Sequence, residues 1–299
     1  MPELADHKTG RMDVEGVYAS YRSYLVALAY RMIGSVSDAE DIVQELFAAM
    51  LKDRLSSVSN PKAYLTKAVT HRCLNLLKSA IKRRVTYVGE WLPEPWVQAG
   101  DTTLEDVERR DDVSYAFLVL LEKLTPIERA VLVLREAFDF EYAEIAGILD
   151  KTEVACRQIL SRAKKKLGNR ASRPVPFHPP GELKLVQTWV SALTSGNIEE
   201  IFELIAEDAV LVTDGGGRVR AAINPIFGRK RSAALLKAMA TRKFKDVRLR
   251  ATRINGAWGI EAVLNDQVIG VVCFDWNPDG TAQHLYFVLN PDKLSRITV

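Results

Sequence analysis

Residues 124–167 read LTPIERAVLVLREAFDFEYAEIAGILDKTEVACRQILSRAKKKL, and the punctuation of this stretch decides how the amino-terminal half folds. Thr125 followed by Pro126 and by Glu128 three residues on is the signature of a capped helix start. A short helix, EYAEIAGILD, comes next, then a tight break at Lys151-Thr152, then a helix whose exposed face is polar and basic. This is helix-turn-helix spacing, in which the second helix enters the DNA major groove amino-terminus first. Arg157, Gln158, Ser161 and Arg162 fall at i, i+1, i+4 and i+5. One face therefore offers two guanidiniums and an amide to base edges, and the lysine run at 164–166, with Lys165 at its centre, suits phosphate contact.

Working outward, the charge pattern supports a polyanion partner. The 299 residues carry a net charge of only +3, but the sign is segregated. Seven Lys or Arg and no acid lie between Asn60 and Arg84, and seven more with no acid lie between Arg157 and Arg173. Between these blocks, Asp101 to Asp112 holds six acids against Arg109 and Arg110. Sign asymmetry of this kind implies two basic contacts joined by an acidic connector. No signal-like start and no membrane-length apolar run is present, so the expected compartment is the cytoplasm, with no membrane partner. Cys73, Cys156 and Cys273 are too scattered to suggest a disulfide framework or a metal site, and neither a metal nor a cofactor is expected.

Upstream, residues 13–84 read as helices. SDAEDIVQELFAAML, from Ser37 to Leu51, has Ser37 as its expected N-cap and acids in the first turn. Ile42, Val43, Leu46, Phe47, Met50 and Leu51 make an apolar stripe, while Asp38, Asp41 and Glu45 line up on the surface with no Lys or Arg among them. NPKAYLTKAVTHRCLNLLKSAIKRR then begins a helix with Asn60 as cap and Pro61 in the first turn. Residues 85–112, containing VGEWLPEPWVQAGD, are a linker, and RPVPFHPPGE from Arg173 marks a second boundary. After two helices between Glu182 and about Ala206, period-2 alternation takes over: Val247, Leu249 and Ala251 on one face of DVRLRATRI, Arg248, Arg250 and Thr252 on the other. The carboxy-terminal part is expected to be an α+β domain on a curved antiparallel sheet.

DAEDIVQELF, NPKAYLTKAVTHRCLNLL and the helix-turn-helix block, in that order, resemble a bacterial sigma factor of the extracytoplasmic-function group, over about residues 13–170. The resemblance implies a multidomain chain: an all-α sigma-2 domain at 13–84, a linker at 85–112, an all-α helix-turn-helix sigma-4 domain at 113–172, and a third domain at 179–299. It also implies that Asp38, Asp41 and Glu45 are kept unpaired to dock on the clamp helices of the core RNA polymerase largest subunit. On the same grounds Tyr64, Lys67, His71, Arg72 and Asn75 would face the −10 promoter element, and Arg157, Gln158, Ser161, Arg162 and Lys165 the −35 element. The alternative is a helix-turn-helix regulator that acts without polymerase and senses a ligand; such a protein has no use for the acidic helix.

The third domain resembles the SnoaL-like branch of the nuclear-transport-factor-2 superfold, a cone-shaped α+β cup. Sigma factors carrying it form a subgroup that three motifs fit: WLPEP at 91–95, DGGGR at 214–218, with Arg where the subgroup usually has Lys, and NPDKL at 290–294. In that subgroup the domain regulates the sigma domains in cis. An interdomain latch is therefore expected, in which the domain folds back on the sigma-2 domain and linker. Trp91, Leu92, Pro93, Glu94 and Pro95 would form one half, and Asp214, Gly215, Gly216, Gly217, Arg218, Asn290, Pro291, Asp292, Lys293 and Leu294 the other. Trp91, Leu92 and Trp96 would form a large apolar cluster whose burial dominates the contact, with Glu94 pairing to Arg218. Because relatives of the superfold include enzymes, His284, Asp214, Asp266 and Asp275 are candidate acids or bases of the cup, although no catalytic pair stands out, the chain is read as non-enzymatic, and a small ligand in the cup is the remaining possibility.

Overall fold

The computed structural model describes residues 14–53, 60–84, 86–97, 114–168, 177–243 and 246–297. The acidic run Asp101–Asp112, the end of the second basic block at Arg170 and Arg173, and the start of the proline-rich boundary lie outside the described residues. The chain divides into two compact units, one of Met1–Arg83 with Leu120–Ser172, the other of Arg84–Val119 with Arg173–Val299.

In the first unit, α1 (Val14–Ile33), α2 (Val36–Asp53) and α3 (Pro61–Arg84) form the amino-terminal part. The cap of α2 is Ser35 rather than Ser37: the helix begins at Val36, and the Asp38 amide donates to Ser35 Oγ at 3.2 Å. One serine lies two residues nearer to Gly34, whose positive φ of 72° ends α1 and delivers Ser35 to the capping position. Ile42, Val43, Leu46, Phe47 and Met50 of the α2 stripe are buried, with Phe47 edge-on to Tyr18 of α1, whereas Leu51 is exposed at the helix end. Asn60 caps α3 as expected, accepting from the Ala63 amide at 3.0 Å.

The remainder of this unit follows the sequence punctuation closely. After α4 (Tyr115–Leu121), which up to Val119 belongs to the second unit, come α5 (Pro126–Leu132), with the Thr125–Glu128 capping box formed, and a π-helical turn at Val133–Ala137. Next are α6 (Tyr142–Leu149) and α7 (Glu153–Leu167). Between the last two, Asp150 takes the left-handed conformation with φ 52° and Thr152 Oγ1 accepts from the Ala155 amide. Arg129 of α5 is buried, where it pairs with Glu122 at 2.8 Å and donates to the Met32 carbonyl at 3.0 Å, so a single side chain ties α5 to the end of α1.

The second unit is built on β1 (Ile205–Asp214), β2 (Ile226–Phe227), β3 (Arg248–Ile254), β4 (Ala257–Leu264), β5 (Gln267–Trp276) and β6 (Ala282–Val288). They form one sheet in the order β2-β1-β6-β5-β4-β3. The expectation of a purely antiparallel sheet is corrected: β1 and β6 run parallel at its centre. Helix α10 (Arg229–Lys243) and the three strands after it return the chain to β1 in β1's own direction. Helices α8 (Glu182–Ser195), α9 (Ile198–Glu203) and α10 pack one face around Trp189, Phe274, Trp276, Leu285 and Phe287. The opposite face carries Val212, Val271, Cys273, Tyr286 and Val288, covered by Leu92, Tyr115 and Leu294, the last from α11 (Pro291–Leu294).

Candidate functional site

Helix α7 buries Cys156, Ile159, Leu160, Ala163 and Leu167, which rotates Arg157, Gln158, Ser161, Arg162 and Lys165 to solvent. Arg157 is held in place: its guanidinium pairs with Glu153 at 3.0 Å and lies 4.6 Å from the centre of the Tyr142 ring. The lysine run divides. Lys164 pairs with Glu136 at 2.9 Å and Lys166 with Glu128 at 2.7 Å, leaving Lys165 as the member with no ion pair among the described residues. A helix face with two arginines, an amide and one such lysine is a surface that phosphates and base edges can share.

Helix α3 presents the second basic surface, and part of it is occupied from within the same unit. Lys67 Nζ lies 2.6 Å from Asp150 Oδ1 and 2.9 Å from the Gly147 carbonyl, and His71 Nε2 is 2.8 Å from the Ile148 carbonyl. The cause is elementary: the last carbonyls of a helix lack intrahelical donors and carry the negative end of its dipole, so cations settle there. The hydrogen bond from Lys67 holds the Asp150 carboxyl below its ordinary value. Tyr64, 39% exposed, and Asn75 face solvent on the same helix.

On α2, Asp38 and Asp41 are exposed and form no ion pair among the described residues. Glu45 departs from expectation, since Arg72 of α3 approaches its Oε2 at 3.4 Å. That pair joins a residue expected to meet polymerase to one expected to meet DNA, and its carboxylate is 71% exposed, so the contact is weak.

The latch motifs come together inside the second unit. Asp214 closes β1, is 1% exposed, and collects four donors: Tyr87 Oη at 2.6 Å, the Leu92 amide at 2.9 Å, the Gly216 amide at 3.0 Å and Lys293 Nζ at 2.6 Å. Lys293 also donates to the Leu92 carbonyl and lies 4.0 Å over the Trp91 ring. Asn290 donates to Tyr87 Oη at 2.9 Å while capping α11. Farther along, Tyr115 Oη donates to the Pro93 carbonyl at 2.6 Å, and Trp96 exchanges hydrogen bonds with Asn255, at 3.1 Å to its side chain and 2.9 Å from its amide. Burial together with the neighbouring Asp214 charge drives the Tyr87 phenol well above its ordinary value.

The glycines of DGGGR have separate reasons. Gly216 (φ 59°) and Gly217 (φ 70°) sit in the left-handed region. A Cβ on Gly216 would fall 2.3 Å from Asn290 Nδ2, and one on Gly217 would meet Val88 at 3.3 Å. Two expectations are corrected here. Arg218 pairs with Asp292 at 3.4 Å instead of Glu94, because the turn after β1 aims it along the sheet end toward α11. Leu92, 1% exposed, is the buried anchor of WLPEP, while Trp91 is half-buried beneath Lys293. Tyr87 escapes the sequence reading, since nothing local marks a tyrosine whose partners lie more than 100 residues away.

The four candidate acids and bases of the cup are engaged elsewhere. His284 Nδ1 and Asp275 Oδ2 approach to 3.2 Å as cross-strand partners, but His284 stacks on Tyr286, whose face is opposite the one packed by the helices. Asp266 pairs with Arg248 at 3.5 Å at an exposed turn, and both Asp214 oxygens are taken up by Tyr87, Leu92, Gly216 and Lys293. Trp189, Phe274 and Trp276 fill the helix-covered face with ring centres 5.4 and 4.7 Å apart. Among the described residues no group of His, Cys, Asp or Glu could hold a metal ion, and no helix is long and apolar enough to cross a membrane.

Comparison with known proteins agrees with this geometry. Residues 17–83 match the Sigma-70 region 2 family and residues 114–167 the Sigma-70 region 4 family. The ECF RNA polymerase sigma factor SigJ of Mycobacterium tuberculosis is 33% identical over 228 residues, covering 75% of this chain and 72% of that protein. A probable ECF RNA polymerase sigma factor of the same species, SigI, is 30% identical over 200 residues, 64% of this chain and 67% of its own. The crystal structure of SigJ superimposes with a TM-score of 0.75 at 28% identity, covering 94% of this chain and 98% of that one, so the resemblance extends through the carboxy-terminal domain. Two helical promoter-factor domains followed by that sheet, on a chain with this degree of identity, place it plainly: the protein belongs to the extracytoplasmic-function group of RNA polymerase sigma factors.

Proposed function

We propose that this sigma factor docks on the clamp helices of core polymerase through Asp38, Asp41 and Glu45. In the same reading it meets the −10 element with Tyr64, Lys67, His71, Arg72 and Asn75 and the −35 element with Arg157, Gln158, Ser161, Arg162 and Lys165, and works in the cytoplasm. Its carboxy-terminal domain acts as a regulator in cis and not as an enzyme. The observation that carries this reading is the Asp214 cluster, which fastens the linker between the two promoter-binding regions to the SnoaL-like sheet through four donors. A fastened linker limits the separations that the regions on either side of it can adopt, so release of residues 86–97 would be the regulated step. A ligand in the cup has less support, because aromatic side chains occupy that face.

Run-off transcription with purified core polymerase tests the reading. The intact chain should direct initiation, and Asp41→Arg with Glu45→Arg should weaken core retention. Deletion of residues 179–299 should alter output from the same template. Undiminished core retention by the double variant would remove the docking assignment, and an output indifferent to the deletion would remove the regulatory one.

A further inference from the structure

The carboxy-terminal domain bears a basic strip, three of whose cations, Arg220, Lys230 and Arg231, neither its packing nor the latch accounts for. Residues 217–231, GRVRAAINPIFGRKR, contain five Lys or Arg and no acid. The stretch forms the open edge of the sheet: Thr213 Oγ1 donates to the Ala222 carbonyl, β2 pairs with Val210 and Leu211, and the Gly228 amide donates to the Ala209 carbonyl. About 13 Å of β1 separates those anchors at roughly 3.3 Å per residue. Arg218 and Arg220 lie beyond one end, and Arg229, Lys230 and Arg231 beyond the other. Between them Ile223 and Phe227 stand 63% and 61% exposed.

Three features set this strip apart from an ordinary solvated face. Arg220, Lys230 and Arg231 are exposed and make no ion pair among the described residues, and the pairs that Arg218 and Arg229 make, with Asp292 and Glu207, are to carboxylates 64% and 82% exposed. Arg229, Lys230 and Arg231 open α10, whose first turn holds no acid, although that end of a helix favours negative charge. Helix stability does not call for them there. A two-residue edge strand flanked by charge also blunts sheet-to-sheet pairing, but charge of either sign would serve that purpose, and an exposed Phe and Ile would work against it.

We infer that this edge is a docking surface for the phosphate backbone of DNA, adding a sequence-independent contact to those of α3 and α7. Charge complementarity selects the partner: a line of exposed cations on an elongated edge matches a polymer carrying one phosphate per 3.4 Å of axis along each strand. The inference rests on the promoter-binding reading only for its choice of partner.

The test is the salt dependence of binding by the intact chain to a fluorescein-labelled mixed-sequence duplex. Arg220→Ser, Lys230→Ser and Arg231→Ser together should lower the slope of log Kd against log salt by about 2–3, at roughly 0.9 for each phosphate no longer neutralised. The charge-preserving set Arg220→Lys, Lys230→Arg and Arg231→Lys should keep the parental slope, which guards against a folding defect. An unchanged slope in the serine set would overturn the proposal and leave edge protection as the strip's role. Lost retention on core polymerase with an unchanged slope would overturn it in favour of a protein partner. Arg157→Ala with Arg162→Ala, measured alongside, tests the promoter-binding reading separately, so failure of one is distinguishable from failure of the other.

Discussion

Lys293 Nζ lies 2.6 Å from Asp214 Oδ2, with side-chain exposures of 11% and 0%, and the two halves of this pair are not equivalent. Asp214 retains three donors if Lys293 is removed, whereas removal of Asp214 takes from the nearly buried Lys293 ammonium the carboxylate 2.6 Å away. Asp214→Ala is therefore expected to destabilise the second unit by about 3–5 kcal/mol, the range for stranding one member of a buried pair, and Lys293→Met by clearly less. Urea denaturation with hydrogen exchange across residues 86–97 checks the order; equal losses would show that the amide and phenol donors contribute nothing.

Gly216 separates backbone strain from contact. An alanine there must hold a left-handed φ, costing about 1–2 kcal/mol, and must also push Asn290 off its place on Tyr87 Oη. Gly217→Ala carries the same strain but crowds Val88 at 3.3 Å, which a shift of a few tenths of an ångström relieves. Thermal melts should rank Gly216→Ala as the more damaging, with extra exchange at residues 290–294; identical melts would mean that the Asn290 side chain simply swings away.

Alkaline pH should loosen the linker through Tyr87. Because the folded phenol titrates above its ordinary value of 10.0, the stability it contributes is fully present below about pH 10 and is lost as pH rises through the folded value. Tyr87→Phe should cost about 1.5–3 kcal/mol at neutral pH, as expected for a hydrogen bond to a charged acceptor, and should flatten the loss above pH 10. The measurement is tryptophan fluorescence against pH for both proteins. Parallel profiles would exclude Tyr87 as the titrating group.

Asp150→Asn should free Lys67. The substitution removes the carboxylate that holds the ammonium at the end of α6, while the Gly147 carbonyl remains. Labelling of Lys67 by an amine reagent, followed by peptide mass analysis, should accelerate several-fold, and affinity for a single-stranded oligonucleotide should rise in parallel. No change in either would mean that the carbonyls alone hold the α3 side chains.

What can be read from residues alone is whatever is local. The Thr125–Glu128 capping box, the Asn60 cap, the break before Thr152 and the exposed face of α7 all follow from neighbours within four positions. Ser35 in place of Ser37 is a two-residue error of the same local kind, decided by the turn at Gly34. The partners of Asp214, Arg218 and Lys67 are illegible for a different reason: each depends on where a strand or helix ends in space, not on spacing along the chain. WLPEP, DGGGR and NPDKL are visible as motifs, but that Leu92 rather than Trp91 is buried depends on which side of the segment the sheet lies. The parallel pairing of β1 with β6 escapes because strand direction is set by the connection through α10, while period-2 alternation reads alike in either orientation.

The hydrogen bond from Asn290 to Tyr87 spans 203 residues of sequence. A ribosome adding about 5–20 residues per second takes roughly 10–40 s to cover that interval. The helix-turn-helix segment is itself made within that interval, so it is over about the last 120 residues before Asn290, roughly 6–24 s at the same rate, that the segments read as promoter-binding and polymerase-binding exist while the last pieces that fasten the linker have yet to be made. Each newly synthesised molecule therefore passes through a free period of fixed duration before its own restraint exists, so slowing translation downstream of residue 168 would lengthen the time available for nascent capture by polymerase.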